Sequence, residues 1–491
     1  MQGVAAVVWI LTMAVAAGVA RRLSLLIILI AVLVCAALVR RRAAWFVFAL
    51  VAGGAALLGA RASSGFERDC AAVERVHAAG GAATVTLEGI VSGFPQAGLS
   101  GSAFDFTTML EGRRVRLLVR AECFDAAYGD RYALRARFIN IAPSMRGFTA
   151  SRGVAGVVKV RAADIVRCGH GGNLLLRLVF WPLHRFARTR LTRAMGRDAG
   201  LAIGMLLGDR TQLADNVRDA VRRLGITHLL AISGMHLTTI AGCVLIATRL
   251  WPRARPLLLL AALTLYSGTV GNVESLTRAY VMSAILIATH TTIRPVRPID
   301  ALAKALLVMA VASPLCLRSV GLQLSFAATF VVLLCLPHEW HTAAGGNRVR
   351  RWMLGALKSV SSAFILSLAV EIFILPLQLH HFHTLSTVGP IATVIFFVPV
   401  TVVLLAAVPV AALAALAPAA EWPGRALGWF SLVTTRAILA CGHLTPGPFA
   451  IPQPNPWLYY GALVLAWKCR RRRPGLVVAA AGIALSFAWR W

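Results

Sequence analysis

The chain has 491 residues, 58% of them hydrophobic and 14% charged, with a mean hydropathy of +0.74. Soluble domains carry roughly 25% charged residues, so this composition excludes a single water-soluble globule and points to a polytopic membrane protein with length to spare for one soluble domain. Fifty Lys and Arg against nineteen Asp and Glu leave a net charge of +31, which suits a polyanionic partner as well as the bias of cations toward cytoplasmic loops.

Residues 1–62 read as N-terminal transmembrane helices, with apolar runs near 4–20, 23–38 and 43–60. Arg21 and Arg22 follow the first run instead of preceding it, the wrong order for a cleaved leader. The composition then changes. Residues 66–172 hold ten of the nineteen acidic residues and turn to period-two alternation. Val85/Leu87, Phe104/Phe106, Val115/Leu117/Val119, Tyr132/Leu134/Ala136/Phe138 and Val158/Val160 mark five short strands, separated by turn signals such as Tyr128-Gly129-Asp130. Five such strands suit a small β-barrel of the OB type.

Residues 174–223 begin with a basic amphipathic stretch, with Leu176, Val179, Phe180, Leu183 and Phe186 on one face and Arg177, Arg185, Arg188 and Arg193 elsewhere. This pattern fits a helix lying in the membrane interface. From 224 to 491 apolar segments alternate with short loops, near 225–248, 257–273, 278–293, 301–317, 321–336, 353–376, 388–416, 425–442, 457–467 and 475–489. Basic residues recur on every second loop, at Arg249/Arg253/Arg255, Arg294/Arg297, Arg348/Arg350/Arg351 and Lys468/Arg470–Arg473. The positive-inside rule makes that side cytoplasmic and places the β domain outside. Cys70, Cys123 and Cys168 then sit in an oxidising compartment, where one disulfide among them is expected with its pairing open.

The segment Leu224–Gly242, LGITHLLAISGMHLTTIAG, reads as one apolar helix with His228, Ser233, Gly234 and His236 set into it. Polar groups at such a depth are costly and usually face a bundle interior or a water path. Ser233 and His236 are three apart and share a helical face. Helix–helix hydrogen bonding, with Gly234 allowing close approach, competes with a role in lining a path. Catalysis is disfavoured, because no local Asp or Glu orients either imidazole. Further along, Glu274 and Arg278 stand i,i+4 at a helix start and predict a structural ion pair. Gln323 and Ser325 lie in an apolar helix, and Glu371 is the sole carboxylate of a long apolar run. Glu371 needs a cation, such as Arg278, Lys304 or Arg318, or a proton. In the β domain, Arg113, Arg114, Arg116 and Arg120 form either a solvated sheet face or a single-strand-binding face, with Phe104, Phe106 or Tyr132 as stacking partners. His380, His381 and His383 lack the acidic partners of a hydrolytic metal site, and no GxxxxGK[ST] element occurs. No cofactor and no metal is expected.

Several stretches resemble the ComEC competence-protein family of bacterial DNA-uptake channels. They are MLLGDRTQLADNVRDAVRRLGITHLLAISGMHL (Met205–Leu237), SLTRAYVMSAILI (Ser275–Ile287), SPLCLRSVGLQLSFAATF (Ser313–Phe330) and LAVEIFILPLQLHHFHTLSTVGPIATVIFFVPV (Leu368–Val400). HLLAISGMH and GLQLSF are the specific pieces. The resemblance covers residues 200–470, with a looser match at Arg146-Gly147-Phe148. It implies that 224–491 is a competence-type channel domain in a multi-pass protein of the bacterial inner membrane, passing single-stranded DNA during transformation. It also implies that His228, Ser233, Gly234 and His236 line the path, with Gln323 and Ser325 either facing it or hydrogen-bonding a neighbour and Glu371 a further transport candidate, and that Asp209 and Arg210 belong to a structural signature. A DNA receptor, a separate nuclease and a cytoplasmic translocase would be partners besides membrane lipid. Family members often end in a metallo-β-lactamase-like nuclease domain, whose HxHxDH element is missing here, so a short form without catalysis is expected. A proton-coupled secondary transporter of a small anionic solute, built on Glu371, is the alternative.

Overall fold

The computed structural model describes residues 42–80, 84–98, 101–122, 124–141, 149–271, 273–290, 296–335, 348–413, 421–452 and 454–468, with 483 and 486. The first two predicted apolar segments, Cys123, Arg146-Gly147-Phe148, Arg294, Arg470–Arg473 and most of the last apolar segment lie outside these residues.

The period-two segment folds as a closed five-stranded barrel. Its strands are β1 (Val85–Val91), β3 (Gly101–Leu110), β4 (Arg113–Ala121), β5 (Asp130–Ile139) and β6 (Val154–His170). A short β2 (Gln96–Gly98) pairs with β3 inside the stretch read from sequence as a turn. Strand order runs β1-β5-β6-β4-β3, and β1 pairs with β3 to close the ring. The β4–β6 pair is parallel and the others are antiparallel. This is a five-stranded Greek-key barrel, the class that includes OB-folds. Alternation places Phe104 opposite Val119, Phe106 opposite Leu117 and Thr108 opposite Val115, so the inward positions fill a small interior. At Gly89, where β1 meets both neighbours, a Cβ would lie 2.3 Å from the Thr107 carbonyl oxygen, so closure there requires glycine.

Helix α1 (Arg42–Gly80) runs unbroken through the composition change at residue 66, and its second half packs on the barrel. Phe66, Cys70, Val73 and Val76 join the barrel's apolar core. Arg113–Asp69 (2.9 Å) and Arg75–Glu111 (2.7 Å) pair at the rim of that contact. A turn of π-helix, Leu176–Phe180, leads into α2 (Trp181–Met195). Leu174, Leu175, Leu178 and Phe186 remain exposed there, while Trp181, His184 and Leu191 turn inward. Phe94, from the loop after β1, inserts against Trp181 (5.4 Å), His184 (5.5 Å) and Tyr128 (5.8 Å). His184 Nδ1 lies 2.9 Å from the Thr269 carbonyl oxygen, which fixes the ring that Phe94 meets.

All nine residues of α3 (Ala199–Leu207) are buried, against α2 and some of the later helices. The later helices are α4 (Asp215–Arg223), α5 (Thr227–Leu230), α6 (Gly234–Ala247), α7 (Arg255–Val270) and α8 (Glu274–His290). They continue as α9 (Pro298–Ala312), α10 (Val320–Cys335), α11 (Arg348–Phe382), α12 (Gly389–Leu413), α13 (Glu421–Leu444) and α14 (Pro456–Lys468). Among the described residues, two stretches, Ser359–Phe382 and Gly389–Ala412, are long and apolar enough to cross a membrane, while α6, α7 and α10 are apolar but shorter. Inside α11, Pro376 supplies no N–H for the carbonyl of Ile372. The Tyr459 hydroxyl donates to that oxygen at 2.8 Å, and Tyr460 donates to Phe373 at 2.9 Å.

Cys70 and Cys168 are free thiols, so they are not joined to each other. Burial, then Glu74, Asp69 and Glu67, push the Cys70 thiol up to about 11. The thiolate is the nucleophile, so at pH 8 Cys70 should alkylate on the order of a hundredfold more slowly than an unperturbed thiol. Its rate should climb only as pH approaches about 11. Iodoacetamide labelling followed by peptide mass spectrometry tests this, with exposed Cys168 as the internal reference. Equal rates at the two positions would contradict the buried setting of Cys70.

Candidate functional site

The segment read from sequence as one continuous helix is broken. α5 ends at Leu230, the chain runs extended through Ala231 (ψ 133°) and Ser233 (φ −135°, ψ −179°), and α6 starts at Gly234. The reason is local. A serine followed by glycine is a helix N-cap sequence, and Ser233 takes that position. His236 then falls at the third helical position, where a capping box uses Glu or Gln to reach back. Its Nδ1 accepts the Ser233 backbone N–H at 3.1 Å, and the Ser233 hydroxyl lies 3.3 Å from the same nitrogen. An amide can only donate, so Nδ1 carries no proton and the neutral ring is protonated at Nε2. Nε2 is buried and has no hydrogen-bond partner among the described residues.

The other polar groups freed by the break are also taken. Arg210 donates to the Leu230 carbonyl at 3.2 Å, and the Ser275 hydroxyl donates to the Ile232 carbonyl. Gly208 ends α3 in the left-handed region (φ 76°), and a Cβ there would lie 2.8 Å from Ile232 Cδ1. Asp209 caps the following turn through the Thr211 N–H at 3.1 Å and lies 3.4 Å from Arg188 Nε. Asp209 is buried, not the surface group that its polarity suggests. The chain Gly208-Asp209-Arg210 therefore braces the break from one side.

Arg278 stands on the other side. It is 6% exposed, at the seam between two apolar clusters, with its guanidinium 5.8 Å from the Phe326 ring. Nε donates to Ser325 Oγ at 3.1 Å, and Nη1 points at Met282 Sδ at 3.5 Å. Nη2 lies 3.4 Å from the place a Cβ on Gly234 would occupy, over the first turn of α6. The ion pair expected of Glu274 and Arg278 does not occur among the described ion pairs. Arg278 turns inward to α10, while Glu274 lies toward Gly321, with Oε2 3.9 Å from that residue's Cβ position.

The remaining predicted residues fall into three places. Gln323 Nε2 donates to the Leu317 carbonyl at 2.9 Å, which orients the amide so that Oε1 faces His381 Nε2 at 2.9 Å. This bond ties α10 to α11. His228 is on α5, exposed, and 3.5 Å from Thr393 Oγ1 on α12, apart from the Ser233–His236 pair. Glu371 pairs with no cation among the described residues; Oε1 lies 4.0 Å from the Cβ position of Gly389, at the N-terminus of α12, where the helix dipole favours a carboxylate. Sequence reasoning missed Arg210 as a brace and His381 as the partner of Gln323. The LLGDR piece was a signal for the first, and nothing in the sequence signalled the second.

On the barrel, Arg113 is held by Asp69, and Arg116 donates to the Arg152 carbonyl at 2.9 Å. Arg114 is exposed, and strand register sets Arg120 beside Lys159, which in turn stands beside Arg137. The aromatic residues proposed to stack bases are not at the surface. Phe104, Phe106 and Tyr132 fill the barrel interior, because their alternation points inward.

A family model for competence proteins matches residues 205–473, just over half of the chain. ComE operon protein 3 of Bacillus subtilis (strain 168) is 31% identical over 195 residues, which cover 39% of this chain and 23% of that protein. The chain thus aligns with under a quarter of that relative's length. No solved structure matches the chain.

If His236 secures the break by accepting the Ser233 amide, His236→Leu leaves a half-buried N–H unpaired and costs about 1–3 kcal/mol. His236→Gln, a capping-box residue, restores most of it. Thermal unfolding of purified protein in detergent checks both variants. Equal midpoints for Leu and Gln would remove the capping role.

Proposed function

This chain belongs to the competence-protein family, and from that premise we propose that it carries single-stranded DNA across the bacterial cytoplasmic membrane during natural transformation. The observation that supports the reading best is the interrupted helix inside the matched region. Irregular backbone at membrane depth is tolerated only where protein buries it or where it lines a cavity, and half-helix ends recur at transport sites. Here the break lies between the half-buried Arg210 and the buried Arg278, a setting for an anionic chain and a poor one for a cation.

In this reading the helices of residues 224–491 surround the path and the barrel faces the outside. The net charge of +31 favours a polyanion over the whole surface. Passage requires no covalent step, only groups that replace the hydration and counterions of the phosphates. Ser233 and His236 hold the break open as a structural unit. An intramembrane hydrolase fits poorly, because His236 Nδ1 is already engaged by a backbone amide and no carboxylate orients the ring. Exposed apolar side chains on the helices, such as Ile246, Leu257 and Trp422, suit contact with lipid. A cytoplasmic translocase would supply the energy, and a receptor and a separate nuclease would deliver the strand.

The anionic-solute transporter draws on one observation, a carboxylate at Glu371 with no cation beside it among the described residues. A gene deletion separates the two. The uptake reading expects loss of transformation by several orders of magnitude, and a drop of at least tenfold for Ser233→Leu and His236→Leu at unchanged protein level. His236→Gln should transform near the wild-type frequency. Normal transformation in the deletion strain, with pH-dependent solute flux lost in Glu371→Gln, would transfer the assignment to the transporter.

A further inference from the structure

We propose that Arg278 and the first turn of α6 form a binding station for one phosphodiester group of the translocated strand. The inference rests on the uptake reading and adds a specific site to it. It starts from an imbalance of charge around the break. The two new ends of an interrupted helix carry opposite partial charges, negative at the carbonyl end and positive at the amide end. At the carbonyl end, Arg210 satisfies Leu230, as electrostatics requires. At the amide end stands a second cation. Nη2 of Arg278 lies over Gly234, the first residue of α6, so positive charge meets positive partial charge.

Nothing described nearby balances that arrangement. Arg278 is 6% exposed, and its partners are the Ser325 hydroxyl and the Met282 thioether; neither bears a charge. Nη2 makes no hydrogen bond among the described residues. The Leu230 and Ile232 carbonyls are already taken by Arg210 and Ser275. Glu274, one turn earlier on the same helix, lies toward Gly321 instead. A buried charge without a counter-charge is among the costliest features a fold can retain. A guanidinium held at Nε and Nη1, with Nη2 free over a helix N-terminus, is placed to meet one oxygen of an anion whose other oxygen meets the first amides of α6. A backbone phosphodiester has that shape and charge, and glycine at position 234 leaves room for it to approach the amides.

The Ser325 bond gives the station a second property. It holds Nε, so the plane of the guanidinium is set before the anion arrives. Lysine at 278 would keep the charge and lose that preset plane.

The test uses the purified full-length chain in phosphate-free maltoside detergent, with a fluorescein-labelled single-stranded 20-nucleotide probe followed by anisotropy at several salt concentrations. Removing one phosphate contact lowers the slope of log K against log salt by about 0.7 for single strands. Arg278→Gln is expected to show that loss of slope together with roughly ten- to hundredfold weaker binding. Arg278→Lys should keep the slope and bind severalfold more weakly. A probe of the same sequence with an uncharged peptide backbone should not distinguish wild type from either variant. If Arg278→Gln does not fold, Arg278→Lys decides alone, and wild-type affinity there overturns the station. Unchanged slope and affinity in a folded Arg278→Gln protein overturn it too, as does a slope restored only by adding phosphatidylglycerol, which would assign the site to lipid. Those results leave the uptake reading intact if deletion of the gene still abolishes transformation. That reading fails separately if the deletion strain transforms normally.

Discussion

A peptide group released from a helix inside an apolar bundle must find another partner, and this requirement organises the helical part of the molecule. It is met twice by different means. In α11, Pro376 frees one carbonyl, and a tyrosine from α14 takes it up. Between α5 and α6 the ladder is open over several residues, and the remedy is distributed. Arg210 and Ser275 serve two carbonyls and His236 serves an amide. Gly208 makes space for Ile232, and that glycine ends α3, the helix buried on every side. The central packing element and the interrupted helix are thus fitted to one another by a single missing Cβ.

Polar side chains in apolar helices have two uses, joining helices and meeting something that passes. Most of those considered belong first to the joining kind. Gln323 binds α10 to α11 through His381, Ser325 orients Arg278, and Ser233 and His236 serve each other. Two differ in character. Arg278 is charged and has no opposite charge beside it among the described residues, whereas Glu371 is offset by the start of α12. The distinction is one of electrostatics more than of polarity, and it separates the group left without a counter-charge from the groups that complete the fold.

How much of this could be read beforehand depended on the kind of signal. The barrel was legible because period-two burial leaves a direct imprint, as in Val115, Leu117 and Val119. β2 was not, since Gln96–Gly98 has no alternation and pairs only along the edge of β3. The second half of β6 was also hidden, because its side chains are largely exposed and carry no burial pattern. The helix break was half legible. Ser233-Gly234 is a cap signal, but the apolar residues on either side continue without a proline, and hydrophobicity alone reads straight through. Stacking roles for Phe104, Phe106 and Tyr132 failed for a plain reason: the alternation that identified the strands also turned those rings inward. The family was legible from HLLAISGMH and GLQLSF, the two pieces whose polar residues make the contacts described above.

The attachment of the barrel has a mechanical side. Phe94 enters a socket made by Trp181, His184 and the end of α7, where Gly271 lets the ring lie within 3.2 Å of its Cβ position. That end of α7 leads directly into the turn that begins α8, the helix that carries Arg278. Through Phe94 the barrel thus rests against the residue that caps α7, three residues before α8 begins. Load applied to the barrel through Phe94 therefore arrives close in sequence to the helix that carries Arg278.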